Sequence, residues 1–314
     1  MIKHKFNKNP RIAIAGSVNS SITTLSKLID HNMNIVLVLG LNPTSAINVS
    51  GFRDMRELSE KHGLPFSYFS KINDSETVQL IEKAKPDILF VIGLSQIIKK
   101  SILDIPSFGS IGYHPTKLPE GRGRAAIAWI ILGEAKPAVT FFLIDEGMDS
   151  GDIIYQKELN LSEDPYAQDV IDSLVFTIES GLDEILPQIK GGYIFARSQN
   201  NDDATYLEIR KPNDGLINWE NSAIDIYRLI RAVSKPLPGA FTYFNRNKLI
   251  IWNAQIDTKI KVKGVPGRIL RIDSDKFWIQ SGNGVLKVNE YSIDNDFKPK
   301  IGIKLGLCIE DFLN

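Results

Sequence analysis

The chain has 314 residues, and its 37 Lys+Arg are matched by 37 Asp+Glu, so it carries no formal net charge. A hydrophobic share of 43% and a charged share of 24% are ordinary for a globular protein, and the length favours two domains. Neutrality argues against a chain whose main task is gripping a nucleic-acid backbone, and no apolar run reaches the eighteen residues of a membrane span.

In chain order, RIAIAGSV (11–18) reads as a short buried strand ending at Gly16-Ser17, followed by a helix with Leu25, Leu28 and Ile29 on one face. NIVLVLG (34–40) is the next strand, and a helix near 53–62 stops at His62-Gly63. A helix over 75–84 leads through Pro86 into the strand DILFVIG (87–93). Further strands are expected at 108–114 and 138–145. Continuous apolar strands alternating with helices imply a mostly parallel, Rossmann-like α/β sheet covered on both faces. A long helix is predicted over 164–186, with Asp164 as N-cap and Pro187 and Gly191-Gly192 closing it. The polar, turn-rich stretch 193–218 reads as a linker. After it come a helix capped by Ser222 and short strands KLIIWNAQI, GRILRID, KFWIQSG and GVLKVNEY, which suit a small OB-like β-barrel. The expected division is therefore 1–192, a linker over 193–218, and 219–314.

Cys308 is the only cysteine, which excludes an internal disulfide and CxxC zinc sites. No metal is expected. With no signal-type pattern at the start, a cytoplasmic location is the expectation. His4, His31 and His62 read as terminal, solvated or helix-end residues. His114 differs, because it closes a buried strand and opens the irregular loop PTKLPEGRGR. Its position alone does not separate a working histidine from one satisfied by a local hydrogen bond. A Gly-bracketed acidic loop follows the 138–145 strand and holds Asp145, Glu146, Asp149 and Asp152. If neighbouring strands bring the two loops together, one of these carboxylates can orient His114 for acid–base work.

These two loops resemble the N10-formyltetrahydrofolate-dependent formyltransferase family. Its His…Leu-Pro…Arg-Gly motif reads HPTKLPEGRGR from His114 to Arg124, and its D-x-G-x-D-x-G-D loop reads DEGMDSGD from Asp145 to Asp152. The likeness continues through DGLINWENSAIDIYRLIRA and PGAFTYFN into the family's C-terminal barrel. The resemblance implies His114 and Asp149 as the catalytic pair, N10-formyltetrahydrofolate as cosubstrate, and no metal. It places folate against Leu94, Gln96 and Ile97 and against Asp145, Gly147 and Met148, largely through backbone groups. It makes Arg122 and Arg124 candidates for a substrate phosphate or the folate tail. One departure stands out. Many members carry Asn two residues before the histidine, where this chain has Gly112. Losing such an oxyanion donor costs roughly 10²–10³ in rate.

Within that family three acceptors compete: the amine of a nucleotide-linked amino-deoxysugar, methionyl-tRNA, and water. A tRNA acceptor wants a basic loop after the second predicted strand, yet LNPTSAINVSGF (41–52) has no Lys or Arg. From Leu207 onward the chain holds 17 Lys+Arg against 12 Asp+Glu, a dispersed +5 that falls short of a patch. The GSVNSSITTL opening, the GLSQII loop and the GYHPTKLP variant look closer to the sugar-formylating branch of surface-polysaccharide or nonulosonic-acid pathways. That branch is the expectation, and its usual dimerisation makes a homodimer part of what the resemblance implies. A tRNA formyltransferase, a formyltetrahydrofolate hydrolase and a non-enzymatic binder are the alternatives.

Overall fold

A computed structural model of the chain describes residues 1–293 and 297–307; Cys308 lies outside the described residues. The elements run β1 (Ile2–Lys5), β2 (Arg11–Gly16), α1 (Asn19–Asp30), β3 (Asn34–Leu41), α2 (Arg56–Lys61), β4 (Phe66–Phe69) and α3 (Ser75–Ala84). There follow β5 (Ile88–Ile92), α4 (Lys100–Leu103), β6 (Gly109–Thr116), β7 (Arg122–Gly123), α5 (Ala126–Leu132), β8 (Pro137–Leu143) and β9 (Ile153–Glu158). Next are α6 (Ala167–Lys190), β10 (Tyr193–Ala196), β11 (Tyr206–Leu207) and α7 (Ala223–Val233). The last strands are β12 (Ala240–Phe244), β13 (Asn247–Ile256), β14 (Ile269–Asp273), β15 (Lys276–Gln280) and β16 (Val285–Ile293).

The central sheet has seven strands in the order β4-β3-β2-β5-β6-β8-β9. The first five are parallel, and β8 and β9 each run antiparallel to their inner neighbour. Ile12, Ile14, Leu39, Ile88, Leu89 and Phe90 have no exposed surface, as expected of strands covered on both faces. The order reverses between β2 and β5, and there the chain stitches itself together. Ser21 Oγ accepts the N–H groups of Ser17 (2.9 Å) and Val18 (3.2 Å) and donates to the Ile92 carbonyl (2.6 Å). Ser17 Oγ donates to the Gly93 carbonyl at 2.9 Å.

The chain clusters into two compact units. One comprises Met1–Ala126, Ala135–Leu161 and Ile171–Ile209; the other comprises Ile127–Glu134, Ser162–Val170 and Arg210–Asn314. The second contains α7, whose cap is the expected Ser222, its Oγ accepting Asp225 N–H at 3.2 Å. It also contains a five-stranded antiparallel sheet ordered β12-β13-β16-β15-β14. Among the described residues no helix is long and apolar enough to cross a membrane.

Several elements differ from their sequence expectation. The long helix starts at Ala167, where the Asp169 side chain accepts Tyr166 N–H; Asp164 instead pairs with Arg231 at 3.0 Å. Pro187 sits inside the last turn, where it removes one N–H donor from the helix, and Gly191-Gly192 end the helix. The N-terminal residues around His4 form β1, held by an antiparallel ladder to β10. Residues 193–209, within the stretch read as a linker, carry β10 and β11 and belong to the first unit. Short two- to four-residue strands leave too little periodicity to be seen in sequence.

Candidate active site

Alternation along β6 places Ser110, Gly112, His114 and Thr116 on one face of the strand, and all four are buried. His114 lies within the strand, opposite Thr140 of β8, rather than at its end as the sequence suggested. Its side chain is 7% exposed. Nε2 is 2.8 Å from the Gly121 carbonyl, which can only accept, so Nε2 carries the proton in the neutral ring. Nδ1 is left facing Asp149 Oδ2 at 3.5 Å, a gap too long for a strong hydrogen bond in the free protein. Such pairs often tighten only once substrate is bound. Nδ1 is therefore the nitrogen that can take up or release a proton, and a carboxylate stands beside it to stabilise the charged ring.

Asp149 is reached through the β8–β9 loop, where it adopts a left-handed φ of +49°. Its Oδ2 accepts the Gly123 N–H at 2.9 Å. The two sequence motifs thus meet in space, and the glycines on either side of Arg122 touch one member each of the His114–Asp149 pair. Thr116 Oγ1 donates to the Glu120 carbonyl (2.9 Å) and to Gly121 (3.1 Å), shaping the turn that carries this arrangement.

The residues expected to meet folate divide into two kinds. The Gln96 side chain is spent within the protein, accepting Ile72 N–H at 2.7 Å and donating to the Ser70 carbonyl at 3.0 Å. Asp145 is likewise engaged, accepting from Gly147 N–H (3.0 Å) and Ser150 Oγ (2.7 Å). A Cβ at Gly147 would displace the Ser150 hydroxyl from its place beside Asp145. Leu94 packs against the core, whereas Ile97 and Met148 are 81% and 53% exposed. Lys100 ties the acidic loop down through Glu146 (3.1 Å), and this pairing, with Asp104 behind it, raises the Lys100 pKa above its ordinary value.

The arginines separate. Arg124 is exposed, and its side chain makes no hydrogen bond or ion pair among the described residues. Arg122, expected to bind an anion, is 1% exposed and directs its donors inward to Gln199, Asn201 and the Tyr206 hydroxyl. Those three partners were missed by sequence reasoning, since nothing in a polar, turn-rich run marks it as lining for a buried guanidinium. Among the described residues no three His, Cys, Asp or Glu side chains gather as metal ligands.

Gly112 has a physical explanation. A Cβ at this position would sit 2.9 Å from the Phe142 ring and 3.0 Å from Ile144 Cγ1, so apolar side chains fill the space of the family asparagine. Gly112→Asn is accordingly expected to lower stability by about 1–3 kcal/mol through overpacking, without raising kcat. Thermal melting beside a turnover assay checks this, and a stable variant with higher kcat would contradict it.

A model described as "Formyl transferase" matches residues 11–184, and one described as "Formyl transferase, C-terminal domain" matches 210–298. A methionyl-tRNA formyltransferase of Clostridioides difficile is 30% identical over 295 residues, covering 93% of this chain and 95% of that protein. The fold is shared with HypX of Aquifex aeolicus in complex with tetrahydrofolic acid, at TM-score 0.66 and 16% identity. That match covers 90% of this chain but 44% of HypX. It is shared too with an N-formyltransferase of Helicobacter canadensis in complex with folinic acid and dTDP-3-aminofucose. There the TM-score is 0.64 at 18% identity, over 90% of this chain and 99% of that one. With its catalytic-domain model matched over more than half the chain, and a relative aligned along nearly its whole length, this protein belongs to the formyltransferase family and is an enzyme of formyl-group transfer.

Proposed function

We propose that the protein moves the formyl group of N10-formyltetrahydrofolate to the amine of a nucleotide-linked amino-deoxysugar, a step in making surface polysaccharide or nonulosonic acids. The observation that carries this choice of acceptor is the connection between β3 and α2. Residues 41–52 hold no Lys or Arg, and Ala46, Val49 and Phe52 fold inward against the core. Arg53, the first cation beyond it, is bound to Asn19 Oδ1 at 2.8 Å. A long polyanion therefore finds no cationic arm there, whereas a compact diphosphate needs only one or two charges. Arg124 supplies one, next to the Gly123 amide that holds Asp149.

Ile97 and Met148 offer apolar surface for the flat part of the folate, and because Gln96 and Asp145 are engaged internally, its polar edges fall to main-chain groups. The acceptor amine attacks the formyl carbon, forming the new C–N bond, and the bond from that carbon to the folate N10 then breaks. The amine loses a proton and N10 gains one, leaving a formamide and tetrahydrofolate. His114 Nδ1 moves the proton, and Asp149 stabilises the imidazolium and receives the amine's hydrogen bond. Gly112 contributes no side-chain donor for the developing oxyanion.

A second reading, methionyl-tRNA as acceptor, is favoured by the full-length relatives at 28–31% identity that carry that name. Tetrahydrofolate release with a panel of aminosugar nucleotides, with methionyl-tRNA, and with no acceptor separates the readings. Turnover with an aminosugar nucleotide only is the expected result. Turnover confined to methionyl-tRNA would transfer the assignment, and turnover without acceptor would make the enzyme a hydrolase. Arg124→Ala should raise the acceptor KM roughly tenfold, as for one lost charge-assisted hydrogen bond, with a smaller effect on kcat. An unchanged acceptor KM would remove Arg124 from the site.

A further inference from the structure

We propose that Arg122 and Gln199 form an internal brace that positions the His114–Asp149 pair, making both positioning residues for formyl transfer; this rests on the reading of that pair as catalytic. Three connected observations carry it. The Gly121 carbonyl holds His114 Nε2 at 2.8 Å and the Gly123 amide holds Asp149 Oδ2 at 2.9 Å, so Arg122 lies between the two anchors. Its guanidinium turns away from solvent and donates to Gln199 Oε1 (2.8 and 3.3 Å), Asn201 Oδ1 (2.9 Å) and Tyr206 Oη (3.1 Å). Gln199 then completes the circuit. Its Nε2 donates to the main-chain carbonyls of Asp149 and Gly151, each at 2.8 Å.

The circuit has a physical reason to exist. Asp149 is held at φ +49°, a left-handed conformation that aspartate tolerates better than most residues but that its surroundings must still select. Gln199 is placed to enforce it, because its amide hydrogens go to the carbonyl of Asp149 itself and to one two residues further on. On the other side, the 121–124 segment is clamped to 205–207. Gly121 N–H donates to Thr205 Oγ1 (2.8 Å), Arg122 N–H to the Thr205 carbonyl (2.9 Å) and Arg124 N–H to the Leu207 carbonyl (3.2 Å). None of the three acceptors around the guanidinium is a carboxylate, so the buried charge is satisfied by dipoles whose orientation the brace fixes. The polar run 199–207 is therefore a working part of the catalytic unit.

Gln199→Glu tests the brace while sparing its structural half. A carboxylate still accepts from Arg122, so folding is retained, but it donates nothing to the Asp149 and Gly151 carbonyls. The expected result is a protein that still folds but melts earlier than wild type, because two carbonyls lose their donor and face a carboxylate oxygen, with kcat down tenfold to a hundredfold, the scale of a misplacement near 1 Å. KM for N10-formyltetrahydrofolate should change less than threefold. The imidazole ¹⁵N signals of His114 should shift, which a purely structural role would not produce. Gln199→Ala should lose kcat similarly and also melt earlier, because Arg122 loses an acceptor. Wild-type kcat and unmoved His114 signals in a folded Gln199→Glu protein would overturn the brace. His114→Ala run in parallel keeps the outcomes distinct: full activity there refutes the catalytic pair, whereas an inactive His114→Ala beside a fully active Gln199→Glu refutes the brace alone.

Discussion

His114→Ala is expected to lower kcat by roughly 10²–10⁴-fold, the range for removing a positioned acid–base group. Folding should survive, because the carbonyl that receives the Nε2 proton keeps a second donor, Thr116 Oγ1 at 3.1 Å. The loss should appear in single-turnover release of tetrahydrofolate, with the folate KM nearly unchanged, since Ile97 and Met148 lie outside the imidazole's hydrogen bonds. Asp149→Ala should produce a loss of similar kind, and the double variant should be barely worse than the more damaged single one, because groups that act as one unit are not additive. A His114→Ala protein within threefold of wild type would sink the assignment of the pair.

Gly123→Ala is expected to be the most damaging single methyl in the 114–124 loop. Gly123 has φ +114°, and a Cβ there would run into the Leu207 carbonyl oxygen, a main-chain atom that cannot swing aside. The backbone conformation alone costs on the order of 1–3 kcal/mol, and relief of the clash must pull β7 from β11. The Gly123 amide would then leave Asp149 Oδ2, so activity should fall together with stability, by tenfold or more. Gly63→Ala supplies the control. It shares the positive φ, at +63°, but no atom lies within 4 Å of its Cβ, and His62-Gly63 simply ends α2. It should lose about 1 kcal/mol of stability and keep full kcat. Equal activity in the two variants would show that the Gly123–Asp149 contact is dispensable.

Much of the fold was legible because its signals are local. Val, Ile and Leu runs ending at Gly16, Gly40 and Gly93 mark strands buried on both faces, and Ser222 marks the start of α7 whatever packs around it. The short strands β1, β7, β10 and β11 were not legible. Each exists only because a distant partner supplies its hydrogen bonds, and two to four residues carry no readable period. The same limit applies to Pro187, whose place inside the last turn of α6 depends on the helix continuing to Lys190.

The candidate site divides along the same line. By itself the sequence determined the chemical types and their spacing: a histidine in an irregular Pro-Gly-Arg loop, an aspartate in a Gly-bracketed acidic loop, and a glycine where many family members carry asparagine. Only the tertiary structure decided which groups are free to react. It buried Arg122 against Gln199, Asn201 and Tyr206 while leaving Arg124 exposed, although the two stand two residues apart in one motif. It filled the face of Gly112 with Phe142 and Ile144, and it assigned the Gln96 and Asp145 side chains to the protein's own backbone and hydroxyls. The physical reason is that a side chain's chemistry is set by its residue type, whereas its availability depends on whether donors and acceptors from elsewhere in the chain have already satisfied it.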